Sequence, residues 1–209
     1  MSRRSFLLLG IATITAMRGA LAAGPAPAIA KLGSPAPAFE VPDASGRKRK
    51  LAEFRGKTVV LEWTSSTCPF AAAQYKSGRM QALQRWAMAK NIVWLTVLSS
   101  HPSRSEYLPG PQAEAFNRQR GGAPSALLID SSGVMGRSYG ASTADHMFVI
   151  ARNGTLAYAG SIDDSDSMDP KEVAASRNYV RAALQELLAG RRVSTPSTEP
   201  FGCAVAYAG

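Results

Sequence analysis

Two cysteines and two histidines are all the thiol and imidazole ligands that this chain of 209 residues offers a metal. Cys68, Cys203, His101 and His146 stand far apart, without the close spacing of a metal site, so neither a metal nor another cofactor is expected. The acidic residues Asp163, Asp164, Asp166 and Asp169 could hold a cation. The reading adopted for them is a solvated loop that supplies helix caps. No internal repeat is evident, and no apolar run is long enough to span a bilayer. Acid is scarce beside base, and the formal charge is +9. The cations are scattered, and the one dense run, Arg47-Lys48-Arg49-Lys50, has no aromatic residues between its charges. A nucleic-acid patch is one reading of that run. A solvated β-hairpin edge guarded by basic side chains is the other and the one adopted, and no nucleic-acid partner is expected.

What is present begins with a targeting pattern. Ser2-Arg3-Arg4-Ser5-Phe6-Leu7-Leu8, a short apolar run and Ala20-Leu21-Ala22 resemble a twin-arginine export signal with a small-residue cleavage site. Residues 1–22 are therefore expected to be the signal and the chain's only contact with a membrane. An uncleaved anchor is the alternative. Residues 23–37, rich in Ala, Pro and Gly, read as a flexible mature N-terminus. The expected location is periplasmic or otherwise extracytoplasmic, where a disulfide can persist.

Val59-Val60-Leu61-Glu62-Trp63-Thr64-Ser65-Ser66-Thr67-Cys68-Pro69-Phe70 is the stretch around which the chain is organised. An apolar, β-branched run predicts a buried strand. The hydroxyl residues predict a turn, and Pro69 suits the first position of a helix. Cys68 then meets the unpaired N–H groups and the positive dipole end of that helix, which favours the thiolate.

Along the rest of residues 38–190, a hairpin is expected around Pro42-Asp43-Ala44-Ser45-Gly46, and a helix from Cys68 to about Lys90 with a kink at Ser77-Gly78. Strands are expected over 92–98 and 125–129. Helices are expected over 111–120 and 134–139. Asn153-Gly154 marks a second hairpin, and a single last helix is expected over 171–189. Trp63, Trp86 and Trp94 fall on core elements. Residues 191–209 form a tail carrying Cys203. Strands alternating with helices predict parallel pairing, to which the late hairpin adds antiparallel strands.

Cys68-Pro69-Phe70 after a strand ending in Trp63, Tyr139-Gly140-Ala141, His146-Met147-Phe148-Val149-Ile150, the run from Asn153 to Asp164, and Gly202-Cys203 together resemble the peroxiredoxin-like (AhpC/TSA, redoxin) branch of the thioredoxin superfamily. The resemblance covers about Leu32 to Tyr207. It implies a thioredoxin-like three-layer α/β/α fold with a mixed central sheet and an N-terminal β-hairpin. It also implies thiol redox chemistry at Cys68, with a peroxide or disulfide as substrate and a thiol reductant of unknown identity. Ser65 and Thr67, with backbone N–H groups at the helix start, would hold the thiolate and the leaving oxygen. Cys203 would be the resolving partner, or half of a purely structural disulfide.

The chain departs from that pattern at named positions. Ala71 stands where a Cys-x-x-Cys pair has its second thiol. Leu61 replaces the peroxiredoxin proline and Ala157 its arginine, for which Arg152 is a possible stand-in. Asp145 falls where the superfamily has a cis-proline, and a trans bond is expected there because a cis bond at a non-proline residue costs about 2.5–4 kcal/mol. Asp145 and His146 are possible tuners of Cys68, the former by raising its pKa and the latter by protonation or hydrogen bonding. The rival to an exported thiol oxidoreductase is a non-catalytic binding module on the same scaffold, with Cys68–Cys203 as a staple.

Overall fold

The computed structural model describes residues 29–208. The expected export signal lies outside them. β1 (Glu40–Pro42) and β2 (Lys48–Lys50) form a two-stranded antiparallel hairpin, followed by one helical turn over Leu51–Phe54. The basic run at its edge is paired with carboxylates: Lys48 and Lys50 with Glu40, Arg49 with Asp43 and Glu53.

The principal sheet has five strands, β3 (Val59–Trp63), β4 (Val93–Leu98), β5 (Ala126–Ile129), β6 (Met147–Ile150) and β7 (Leu156–Gly160), in the spatial order β5-β4-β3-β6-β7. β3, β4 and β5 run parallel, while β6 and β7 pair antiparallel. This is the expected mixed thioredoxin-like sheet. β3 sits at its centre and is buried along its whole length.

Alternation along β3 sends Leu61 and Trp63 to one face, where they pack with Phe148, Met135 and Tyr139. Val60 points to the other face, among Tyr75, Met80, Leu83, Met147, Val180 and Leu184. Trp63 and Trp94 are wholly buried, and burying a large side chain contributes roughly 1.5–3 kcal/mol. Trp86 is only partly buried, with the Arg181 guanidinium over its ring.

The kink expected at Ser77-Gly78 is a complete break. α1 (Pro69–Lys76) ends there and α2 (Arg79–Ala89) restarts behind Gly78, whose φ of +76° no helix can continue. α3 (Gly110–Gln119) and α4 (Val134–Tyr139) match their expected segments to within a residue.

The single last helix is corrected to two, α5 (Pro170–Ala175) and α6 (Tyr179–Leu188). The acidic loop causes the interruption. Asp164 accepts the Arg177 N–H at 2.8 Å, Ile162 O accepts the Tyr179 N–H at 3.0 Å, and Asn178 caps α6 by accepting the Arg181 N–H at 2.7 Å. Asp169 caps α5 as expected.

Residues 30–37, within the segment expected to be flexible, are fastened to the sheet. Ala30 N–H donates to Ser138 O, Gly33 N–H to Leu156 O and Ala36 N–H to Gly154 O, and Pro37 O accepts from the Tyr139 hydroxyl. Composition favoured flexibility, but these backbone groups find partners along β7 and α4. The tail 191–208 also returns to the body, with Ser197 bridging to Ala159 and Ala204 to Thr143.

Candidate functional site

β3 delivers the chain to a turn, and Cys68 is the N-cap of α1 with extended backbone (φ −79°, ψ 119°), followed by Pro69 at the first helical position. Its side chain is 2% exposed and packs against Ala71 and Ala144. Cys203 is bonded to it as a disulfide across 135 residues of sequence, with 5.7 Å between the Cα atoms. The Cys203 backbone N–H also donates to Cys68 Sγ at 3.2 Å.

The hydroxyl run does not converge on the sulfur. Ser65 Oγ lies 3.3 Å from Thr67 Oγ1 and accepts the Thr67 N–H at 3.4 Å, Ser66 donates to Glu106 O, and Thr64 accepts from Arg120. Ser65 does line the cavity beside Cys68, at about 420 Å³. Its wall carries two cations, Lys76 and Arg120, and no carboxylate.

Arg120 is a site residue that sequence reasoning missed. Its guanidinium carbon lies 3.7 Å from the Tyr75 ring centroid and 4.4 Å from that of Phe116, and Nη1 donates to Thr64 Oγ1 at 2.9 Å. An arginine at a helix end before Gly121-Gly122 gives no local sign of this position.

Glu62 was also missed, although it left a signal: one acidic residue inside the otherwise apolar run of β3. It is fully buried beneath α1. It accepts from Tyr75 Oη (2.7 Å), Trp94 Nε1 (2.7 Å), Thr96 Oγ1 (2.8 Å) and Gln84 Nε2 (3.0 Å). A buried carboxylate needs that many donors to offset its lost hydration.

Asp145 and His146 stand at the start of β6 and diverge. No cis peptide bond occurs among the described residues, and Asp145 enters the strand with φ +71°. Its N–H donates to Trp63 O, while its neighbour Ala144 donates to Cys203 O. The Asp145 side chain is fully buried, and neither carboxyl oxygen has a hydrogen-bond partner. Burial, helped by the Glu62 charge and opposed by Arg120, holds its pKa well above the usual carboxylate range. The neutral acid is favoured, which suppresses the negative charge expected to work against a Cys68 thiolate.

His146 faces the opposite side of the sheet. Its ring stacks on Phe148 at 4.3 Å and its Nδ1 accepts the Ser142 N–H at 3.3 Å. Burial lowers its pKa to about 4, which favours a neutral imidazole packed on Phe148 over the possible tuning of Cys68 by protonation. Arg152 lies at the β6–β7 turn and donates to Gly56 O. That is the end of the sheet away from Cys68, and it cannot replace the missing arginine. Among the described residues no cluster of metal-ligating side chains occurs.

A model of the AhpC/TSA family matches residues 32–159. No curated protein matches the chain. Among solved structures, it is similar to an uncharacterized conserved protein from Geobacillus kaustophilus, with TM-score 0.72, 20% identity, and 85% of this chain and 93% of that one covered. A hypothetical protein from Sinorhizobium meliloti 1021 aligns with TM-score 0.70 at 23% identity, over 85% of this chain and 95% of that one. A protein from Chlorobium tepidum, provisionally named a thiol:disulfide interchange protein DsbE, aligns with TM-score 0.54 at 21% identity, over 77% and 97%. At such identities the structural likeness establishes the fold alone.

Proposed function

The chain belongs to the AhpC/TSA family, as a redoxin-type protein of the thioredoxin superfamily, and from that premise we propose that it is an exported thiol–disulfide oxidoreductase whose redox couple is Cys68–Cys203. The observation that carries this reading is the disulfide itself, set at the N-terminus of α1 on the wall of a 420 Å³ cavity. In the reduced protein the Cys68 thiolate attacks one sulfur of a substrate disulfide. A mixed disulfide forms and the first substrate thiolate leaves, taking a proton from solvent. The Cys203 thiolate then attacks Cys68 Sγ and releases the second substrate thiol. The substrate gains two electrons, and a thiol reductant restores the dithiol.

A disulfide is favoured over a peroxide as substrate by the residues around the sulfur. Ser65 bonds to Thr67, Leu61 and Ala157 replace the peroxiredoxin proline and arginine, and Arg152 is remote. Residues 1–22 would carry the export, which Arg3→Lys with Arg4→Lys should block, leaving the precursor in the cytoplasm. The binding-module reading is supported by the 2% exposure of Cys68.

Reduced protein mixed with an excess of oxidised glutathione separates the readings. Closure of Cys68–Cys203 with stoichiometric release of glutathione, abolished by Cys68→Ser, is the expected result. No closure under those conditions would leave only the staple. Faster closure with hydrogen peroxide than with the disulfide would reassign the substrate.

A further inference from the structure

The tail around Cys203 is held by anchors of its own besides the disulfide. Ala144 N–H donates to Cys203 O at 2.8 Å, Val205 N–H to Ser142 O at 2.9 Å, and His101 N–H to Ala206 O at 2.9 Å. The Tyr207 hydroxyl donates to Ala141 O at 2.8 Å, and the Arg137 guanidinium lies over the Tyr207 ring, 4.7 Å from its centroid. Gly136 leaves the space that Tyr207 fills, since a Cβ there would collide with the tyrosine hydroxyl. Gly202 is needed at φ +117°, where a Cβ would strike the Ala144 carbonyl. The backbone of the tail therefore lies directly on the 142–144 turn, held there by contacts in addition to the S–S bond.

Within that docked tail, the one hydrogen-bond acceptor of the Cys203 N–H is Cys68 Sγ, at 3.2 Å. Backbone donors that leave water need an acceptor, and a thiolate is a better acceptor than a disulfide sulfur because it carries the full charge. Cys68 is the N-cap of α1, but its sulfur accepts no cap hydrogen bond from that helix, and Pro69 has removed one of the helix's N–H groups. We propose that the docked C-terminal tail is part of the reactive centre, with the Cys203 backbone N–H serving as the donor that stabilises the Cys68 thiolate in the reduced protein. Cys203 then has two separable roles, a side-chain thiol that resolves and a main-chain donor that activates. Reactivity at Cys68 follows docking of the tail, which the 135-residue separation makes invisible in the local motif. The inference rests on the reading of Cys68 as the nucleophile.

The test separates the two roles within full-length mature protein. Cys203→Ser removes the thiol and keeps the N–H, whereas Cys203→Pro removes both. The Cys68 titration is followed by thiolate ultraviolet absorbance and by the pH profile of iodoacetamide alkylation. The Cys203→Ser protein is expected to titrate below the free-thiol value of about 8.5. The Cys203→Pro protein is expected about one to two units higher, the shift that corresponds to a charge-assisted hydrogen bond. If Cys203→Pro fails to fold, Tyr207→Ala in the Cys203→Ser background, which frees the tail, should raise the value likewise. Equal titrations in folded proteins with and without the donor would overturn the inference and leave the nucleophile reading intact. An ordinary thiol pKa in Cys203→Ser with sluggish alkylation at every pH would overturn both.

Discussion

Arg120 lies over the Tyr75 ring at 3.7 Å from guanidinium carbon to centroid, while its Nη1 holds the Thr64 hydroxyl. This one side chain joins the end of α3 to α1 and to the turn that carries Cys68, at the rim of the cavity. Arg120→Ala is expected to cost about 1–2 kcal/mol, combining a cation–π contact and a hydrogen bond. Arg120→Lys should recover less than half, since it keeps the charge but loses the planar stack and the fork of donors. Urea unfolding of both variants measures this, and a wild-type midpoint for Arg120→Ala would refute it.

Glu62→Gln replaces a buried acceptor of four hydrogen bonds by a group with one acceptor oxygen and a donor nitrogen. The hydroxyls of Tyr75 and Thr96 can turn to accept, but the Trp94 indole can only donate. A loss of about 2–4 kcal/mol is expected in guanidinium unfolding, the range for an orphaned donor beside a lost charge. A loss below about 0.5 kcal/mol, the scatter of surface substitutions, would show that the cluster is not the anchor of this face.

The folded-state pKa of Asp145 is raised above its unfolded value, so the folded protein binds the proton more tightly. Its contribution to stability is intact below the ordinary aspartate value of 3.8 and is lost as pH rises beyond it. Asn does not titrate and tolerates the positive φ of this position. The stability difference between Asp145→Asn and wild type should therefore move in favour of the variant from pH 4 to 8, as read from melting temperatures. A difference that does not change with pH contradicts the argument.

His146 has the opposite sign. Its folded pKa of about 4 lies below the ordinary histidine value of 6.5, so its contribution is complete above that value and is lost as pH falls toward 4. The loss amounts to roughly 3 kcal/mol at most. His146→Phe keeps a ring on Phe148 and should flatten the stability profile in that window alone, and an unchanged slope would count against it.

Reduction of Cys68–Cys203 releases a constraint across 135 residues, worth roughly 5 kcal/mol in the chain-entropy model. The tail's own hydrogen bonds should keep the reduced domain folded. Denaturant unfolding with and without dithiothreitol, at matched pH, checks both points. A reduced protein that unfolds without denaturant would show that the anchors described above do not suffice.

Much of the fold was legible because it is written in short-range pattern. β3 is an apolar run broken only by Glu62, Asn153-Gly154 turns the last hairpin, and Pro69 starts a helix directly behind Cys68. The split of the last helix was not legible, since the competing partners of Arg177 and Tyr179 sit in a loop at least thirteen residues away in sequence. Nor was the fastening of residues 30–37, whose composition is that of a linker and whose partners lie beyond residue 137.

The amino-acid order alone thus settles that Cys68 stands at a strand-to-helix turn, without a second thiol nearby and with Cys203 as its one possible partner in the chain. Local propensity and period decide such things, because they depend on neighbours a few residues apart. Tertiary packing decides what surrounds the sulfur: Arg120 on the cavity wall, Glu62 buried beneath α1, the Ser65 hydroxyl turned to Thr67, and the tail docked with a backbone N–H on Cys68. Periodicity tells which face of an element is buried. It does not tell which distant side chain lies opposite, since that follows from strand order, register and the path of the tail, all fixed only when the whole core closes.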